Sequence, residues 1–340
     1  MFVTTTRRRI AATVTALGAT TALLVGCSSG SDSGSTTPAG SDGAFPVTIA
    51  NTFGDTTIES RPERLVTLGW NAQDVVYALG ETPVGMPKYT YGAEANGVMP
   101  WLQDQFDPNA TTLLDTTAAT PVEAVAALTP DAVLAPYEGF DQAVYEQLSA
   151  VAPTVAYPDK AWQTTWQDQT TLIGQAMGKS DEAAALVDDM NAMLARTAAE
   201  HPEYAGKTLS VINLDTTNGQ VNVYKPTDPR VQILTQLGFV NSPGVEKLTA
   251  TSDPDKFFVD ISAERISEVD ADVVVAFVTD AADTVKMPAY ATLGAVQRGS
   301  DVPLSDTKII AGLSQTSVLA TPWVLGQLTP LLTEAAGKVG

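Results

Sequence analysis

Short apolar runs alternate with helix-period patterns along most of this sequence. Arg64 to Leu68 predicts a strand, and the pattern through Asp74 to Leu79 predicts a helix stopped by Gly80. Val84-Gly85-Met86 opens another strand, Pro121 to Leu128 reads as helix, and Ala132 to Ala135 reads as a buried strand. From Gln163 to about Ala199, the apolar positions Leu172, Ile173, Ala176, Leu186, Val187, Met190 and Leu194 fall at helical spacing. Gly174, Gly178 and Lys179-Ser180-Asp181 interrupt that run, leaving one broken helix or two. The pattern then restarts, with a strand over Leu209 to Leu214, a helix over Val231 to Leu237 closed by Gly238, and a buried strand over Val273 to Phe277. This alternation predicts an α/β fold built on parallel sheets.

The two halves echo each other. The segment from Glu123 to Asp131-Ala-Val-Leu-Ala aligns without a gap with Glu264 to Asp272-Val-Val-Val-Ala. Each reads as a helix beginning near the glutamate, a turn at the aspartate and a buried strand. Any helix–turn–strand unit has this look, and so do two lobes of similar, Rossmann-like topology. The expected organisation is a lobe over residues 44–162, a connecting helical segment over 163–203 and a second lobe over 204–340. A cleft between two α/β lobes is a favoured place for a small molecule.

The beginning of the chain departs from this pattern. Arg7, Arg8 and Arg9 precede an uncharged, apolar stretch from Ile10 to Val25. That stretch is shorter than the roughly 20 residues of a membrane span. Residues 1–26 therefore read as a targeting segment. Ser28 to Gly43, rich in Ser, Gly, Asp and Thr, reads as part of a flexible tether over 27–43. Leu24-Val25-Gly26-Cys27 resembles the bacterial lipobox. The resemblance implies cleavage before Cys27 and its lipidation, with extracytoplasmic attachment to a bacterial cell membrane at about 0.8 kcal/mol per buried methylene. The arginines leave the Sec and twin-arginine routes both open.

Composition narrows the chemistry. The chain has 340 residues, 44% of them hydrophobic, enough for a core in each lobe. Its formal charge is −20, which sets nucleic acid aside as a partner. Cleavage removes three arginines and no acids, so the mature chain is more negative still. Cys27 and His201 are the single cysteine and histidine, a count that rules out an internal disulfide framework and disfavours Cys/His zinc sites. A Ser-His-Asp triad would have to use His201, in Glu200-His201-Pro202 at a helix end. The lobes also lack a Gly-x-Ser-x-Gly elbow. No tight acidic or histidine cluster suggests a metal held by the protein itself, though a tyrosine could still ligate haem.

A series of short motifs runs through Gly54-Asp55 with Ile58, Arg61-Pro62-Glu63-Arg64-Leu65-Val66 and Ala78-Leu79-Gly80 leading to Pro83-Val84-Gly85. It continues in Leu128-Thr129-Pro130-Asp131, Ala152-Pro153-Thr154-Val155, Ile261 to Glu264, Asp270-Ala271-Asp272-Val273 and Pro322-Trp323. Their order and spacing carry a resemblance to the iron–siderophore branch of periplasmic binding proteins, the family that also serves haem and cobalamin import. It implies two lobes joined by a long interdomain helix, no catalysis, no cofactor, and capture of a ferric siderophore for an ABC permease by a monomer. It also implies that one glutamate on each lobe docks on the permease; the matching positions are Glu123 and Glu264. Thr120-Pro121-Val122-Glu123 is equally a capping-box pattern. A haem or cobalamin carrier of the same fold is the nearest alternative, and a secreted hydrolase or adhesion module a more distant one.

A ferric siderophore satisfies its own iron, so the protein needs aromatic walls and a few donors. Candidates in the first lobe are Trp70 and Asn71, then Lys88, Tyr89 and Tyr91, then Tyr137, all in segments that follow strands. The second lobe offers Tyr224, Lys225 and Arg230, with Thr279 to Asp283 and Gln315 to Ser317 less pointed. Arg230 competes between a ligand contact and a surface ion pair with Asp228. Trp162, Trp166 and Trp323 read instead as core or interlobe packing.

Overall fold

A computed structural model describes residues 44–214 and 219–340. The targeting segment, the tether and Cys27 lie outside the described residues. In chain order the strands are β1 (Val47–Asn51), β2 (Gly54–Ile58), β3 (Leu65–Thr67), β4 (Gly85–Lys88), β5 (Thr112–Asp115), β6 (Ala132–Ala135), β7 (Thr154–Ala156), β8 (Thr208–Asn213), β9 (Gln220–Tyr224), β10 (Val240–Asn241), β11 (Phe258–Ser262), β12 (Val273–Phe277) and β13 (Asp301–Leu304). The α-helices are α1 (Ala72–Ala78), α2 (Val122–Ala127), α3 (Gln142–Ser149), α4 (Trp166–Ala176), α5 (Ser180–Glu200), α6 (Pro229–Gln236), α7 (Pro243–Thr249), α8 (Ala281–Thr284), α9 (Gly294–Arg298), α10 (Thr307–Ser314) and α11 (Ala320–Gly337).

The first sheet is all parallel, in the order β5-β4-β3-β6-β7. β3 and β6 are buried along their whole length, as strands covered on both faces must be. The second sheet is mixed, which corrects the expectation of parallel sheets throughout. β10, β8, β12 and β13 are parallel, but β9 runs antiparallel to β8 and β11 antiparallel to β9. For β9 the reason is chain length: six residues separate Asn213 from Gln220, too few for the dozen or so that a parallel crossover takes.

The internal echo has a topological basis. β6 lies between β3 and β7, and β12 lies between β8 and β13. Each is preceded by a helical turn whose second residue is the echoed glutamate, Glu123 in α2 and Glu264 in the 3-10 helix Ala263–Val269. Both glutamates are exposed. The capping box at Thr120 does not form: the N-cap is Pro121, with no side-chain cap hydrogen bond.

Between the sheets in sequence, the connecting segment is a helix pair rather than one helix. Gly178 turns the chain with φ 66°. Gly174 lets α4 and α5 close on each other, since a β-carbon there would lie 2.2 Å from Ala183 Cβ. α5 is 21 residues long, about 30 Å at 1.5 Å per residue. One hydrophobic cluster runs from Leu65 and Val75 through Ile173 and Met190 to Val211, Val275 and Leu328, so the two sheets and the helix pair share core. Among the described residues no helix is long and apolar enough to cross a membrane.

Candidate functional site

Polar contacts tie the first sheet's loops to the second half of the chain. Asn71 Nδ2 donates to Thr316 O at 2.8 Å, and the Ser317 hydroxyl donates to Asp74 Oδ2. Lys308 pairs with Glu94 at 2.6 Å, and Lys160 with Asp255 at 2.8 Å. Between these ties lies a run of connected hollows. One of ≈ 340 Å³ takes Gly69, Trp70, Lys88, Tyr89, Thr90 and Tyr91 with Trp162 and Gln315. It shares Tyr91 and Ser314 with a hollow reaching Tyr224 and Phe277. It shares Trp70 and Trp162 with another, lined also by Tyr137, Arg230 and Phe257.

The wall of the first sheet is aromatic. Trp70, Tyr137 and Trp162 form a mutual triad, with ring centroids 5.5 Å apart for the two tryptophans, 6.1 Å for Trp70–Tyr137 and 5.8 Å for Tyr137–Trp162. Trp70 follows β3, Tyr137 follows β6, and the loop after β7 supplies Trp162, so strand order brings them together. The close fit depends on Gly69, whose φ is 72° and whose β-carbon would lie 2.3 Å from Tyr137 O. Trp162 itself has φ 60°, a backbone conformation that costs a bulky residue about 1–3 kcal/mol. That strained residue stands in the cleft wall rather than in a core, where the sequence allows core or interlobe packing. Trp166, at 2% exposure, is core as expected, and Trp323 packs on Trp101 at 5.5 Å.

The opposite wall centres on Arg230, in the first turn of α6. Its Nε and Nη2 donate to the two oxygens of Asp228 at 2.7 and 2.8 Å. This is the pair with Asp228 that the sequence allowed, but buried: the side chains are 8% and 0% exposed. Asp228 is also the helix N-cap, accepting from Arg230 N at 2.9 Å. The guanidinium lies 4.0 Å from the Tyr224 ring centroid and 5.4 Å from that of Phe257. Burial alone would lower the affinity of Arg230 for its proton; the adjacent Asp228 carboxylate outweighs that and holds it above the usual arginine range. Burial raises the Tyr137 and Tyr224 phenols still further above neutral pH, where both are hydroxyls. Burial also raises the carboxyl of Glu138, in the wall beside Trp162.

The remaining candidates divide. Lys88 lines the main hollow and is exposed. Tyr91 is 50% exposed at its rim. Tyr89 is a half-buried strut: its hydroxyl donates to Gly69 O at 2.9 Å and accepts from Gln73 at 3.2 Å. Asn71 is fully buried with φ 70° and braces the segment at Thr316 rather than facing the hollows. Lys225 is turned away too, its ammonium donating to Asp253 O. Of the less pointed segments, Gln315 lines the main hollow, Ser317 holds Asp74, and Asp280 caps α8.

The two-sheet fold has counterparts among known proteins. A family model described as periplasmic binding protein matches residues 65–297. The chain belongs to the periplasmic binding protein family. This is a family of substrate-binding proteins, and its members share the two-lobe fold. Over 67% of its length the chain is 31% identical to the probable siderophore-binding lipoprotein YfiY of Bacillus subtilis, covering 67% of that protein. It is 25% identical to the Fe(3+)-citrate-binding protein YfmC of the same organism, over 65% of each chain. The structure of PiaA from Streptococcus pneumoniae in complex with ferrichrome superposes with a TM-score of 0.79 at 29% identity, covering 86% of this chain and 100% of that one.

Proposed function

We propose that this periplasmic binding protein captures a ferric siderophore in the cleft between its lobes and delivers it to an ABC permease, with no catalytic step and no resident cofactor. The observation that carries the reading is the cleft itself. An aromatic triad of Trp70, Tyr137 and Trp162 faces a guanidinium seated on Tyr224. A chelate with its iron already satisfied presents apolar faces and outward oxygens. Stacked rings suit the first and a charge-assisted donor the second. The relatives named for siderophores and ferric citrate support the same class of cargo.

The finer assignments follow from this reading. Trp70, Lys88, Tyr91, Tyr137, Tyr224 and Arg230 contact the chelate, and Trp162 joins them. Tyr89 and Asn71 hold the wall in place. Glu123 and Glu264, exposed at equivalent turns of the two lobes, meet the permease. Residues 44–162 and 204–340 act as the lobes and 163–203 as the connection. A lipid on Cys27 holds the monomer outside the cell membrane. Titration of tryptophan fluorescence against ferric siderophores, haem and cobalamin tests the proposal. Saturable quenching by a ferric siderophore is expected. Binding of haem or cobalamin alone would overturn it.

A further inference from the structure

The Asp74 carboxylate is buried where three elements meet: α1, the 3-10 helix Pro100–Leu102, and the link between α10 and α11. Its Oδ2 accepts from Trp101 Nε1 at 2.8 Å and from the Ser317 hydroxyl, and its Oδ1 accepts from Gln73 Nε2 at 3.0 Å. The Ser317 oxygen also accepts from Ala320 N at 2.9 Å, so its single proton is the one it gives to Asp74. One position away, Asn71 Nδ2 reaches Thr316 O, so this is where the first sheet's loops hold the second half of the chain. The cluster also touches the cleft. Gln73 donates to the Tyr89 hydroxyl at 3.2 Å, and Tyr89 and Gln315, two residues before Ser317, both line the main hollow. Buried charges are ordinarily paired. Among the described residues, however, no lysine, arginine or histidine pairs with Asp74. The titratable side chains facing it are the phenols of Tyr77 and Tyr89, which burial pushes further up and which stay neutral near pH 7.

We propose that the Asp74–Ser317 contact is a proton-dependent latch between the two lobes: a proton held there keeps the walls of the main hollow pinned together, and its loss lets the segment at Ser317 part from α1. The physical reason is the missing counter-charge. While the contact is closed, the carboxyl has three donors but no water and no cation, and burial favours its neutral form. Parting the two elements admits water and removes that burial, so the open arrangement releases the proton. The sign follows from linkage. The closed contact lifts the carboxyl from 3.8 to about 7. The latch is therefore firmest below pH about 3.8 and weakens as pH rises through about 7. The device acts on the lobes themselves and does not depend on which molecule occupies the cleft.

Amide hydrogen exchange of the mature chain without ligand, at pH about 5.5 and about 8 and corrected for intrinsic rates, reads the opening directly. The reporters are the amides of Ala320 and Thr321, which bond to the Ser317 hydroxyl and carbonyl. They are expected to be less protected than Val274 to Ala276 in β12 at both pH values, and to lose roughly 10-fold or more of their protection between them. Asp74→Asn cannot ionise, so it should abolish that loss and keep the protection at the lower pH within a few-fold of wild type. Ser317→Ala keeps the carboxyl and removes a donor that favours its charge, so the pH at which protection falls should move upward. Equal protection of the reporters and β12 at every pH would mean that the segment opens only with the whole fold, and would overturn the latch. A pH-dependent loss that persists in Asp74→Asn would remove Asp74 from it. If Asp74→Asn does not fold, the direction of the shift in Ser317→Ala decides: an unmoved or lowered midpoint overturns the proposal.

Discussion

The Ser317 hydroxyl donates to the Asp74 carboxylate across 243 positions of sequence, joining the first turn of α1 to the segment between α10 and α11. The same carboxylate accepts from Trp101 Nε1 at 2.8 Å and from Gln73 Nε2 at 3.0 Å, and it is fully buried with no cation beside it. Burial lifts its pKa from 3.8 to about 7, against the pull of those three donors.

Asp74 therefore gives stability an inverted pH dependence for a carboxyl group. Its folded pKa lies above its unfolded one, so the folded state holds a proton that the unfolded chain releases. The stability this contributes is complete below pH about 3.8 and is lost as pH rises through about 7. Asp74→Asn should flatten the stability profile between pH 5 and pH 8 relative to wild type, by an amount on the order of a few kcal/mol. Urea denaturation of both proteins at the two pH values measures it, and identical profiles would refute the assignment.

The Arg230–Asp228 pair carries a stability cost when broken. Arg230→Ala leaves a buried carboxylate without its counter-charge, at about 3–5 kcal/mol. It should also weaken chelate binding by roughly 10-fold through the lost donor. A double variant, Arg230→Met with Asp228→Asn, should recover most of the stability and none of the affinity. Thermal denaturation and chelate titration on the same samples separate the two effects.

Gly139 tests the role of Trp162. A β-carbon at Gly139 would lie 2.1 Å from Trp162 Nε1, so Gly139→Ala must displace the indole. Gly139 has no positive φ, and the substitution adds no backbone strain there. The expected result is a shifted tryptophan emission spectrum and roughly 10-fold weaker chelate binding, with a melting temperature changed by only a few degrees. Unaltered affinity alongside a shifted spectrum would take Trp162 out of the binding surface.

Charge reversal at the echoed glutamates probes delivery. Glu123→Lys with Glu264→Lys should leave chelate affinity within about two-fold, because neither residue lines the hollows. Uptake of radiolabelled ferric chelate by cells carrying the double variant should fall to background. Normal uptake would remove both residues from permease docking.

Much of the secondary structure could be read along the chain because local periodicity encodes it. The strands at Leu65, Ala132 and Val273 and the breaks at Gly80, Gly178 and Gly238 lie close to where the pattern puts them. The direction of β9 and β11 was not carried by that pattern. An apolar run such as Val221-Asn222-Val223-Tyr224 has the same period either way, and only the short link from Asn213 forces the hairpin. Lys225 illustrates the opposite limit. Its neighbours Tyr224 and Arg230 enter the cleft, while its own ammonium finds a carbonyl at Asp253. Which way a side chain turns depends on partners distant in sequence.

By itself, then, the sequence determined the α/β alternation, the repeated helix–turn–strand unit with Glu123 and Glu264 at its head, and the lipobox-like Cys27. These are local features, written in spacing and residue type. Tertiary structure decided that Trp162 joins Trp70 and Tyr137, that Arg230 is masked by Asp228, and that Asp74 lies buried across from Ser317. Each of these depends on burial and on contacts between separate elements, because the same tryptophan, arginine or aspartate would be unremarkable until packing removed its water and chose its neighbours.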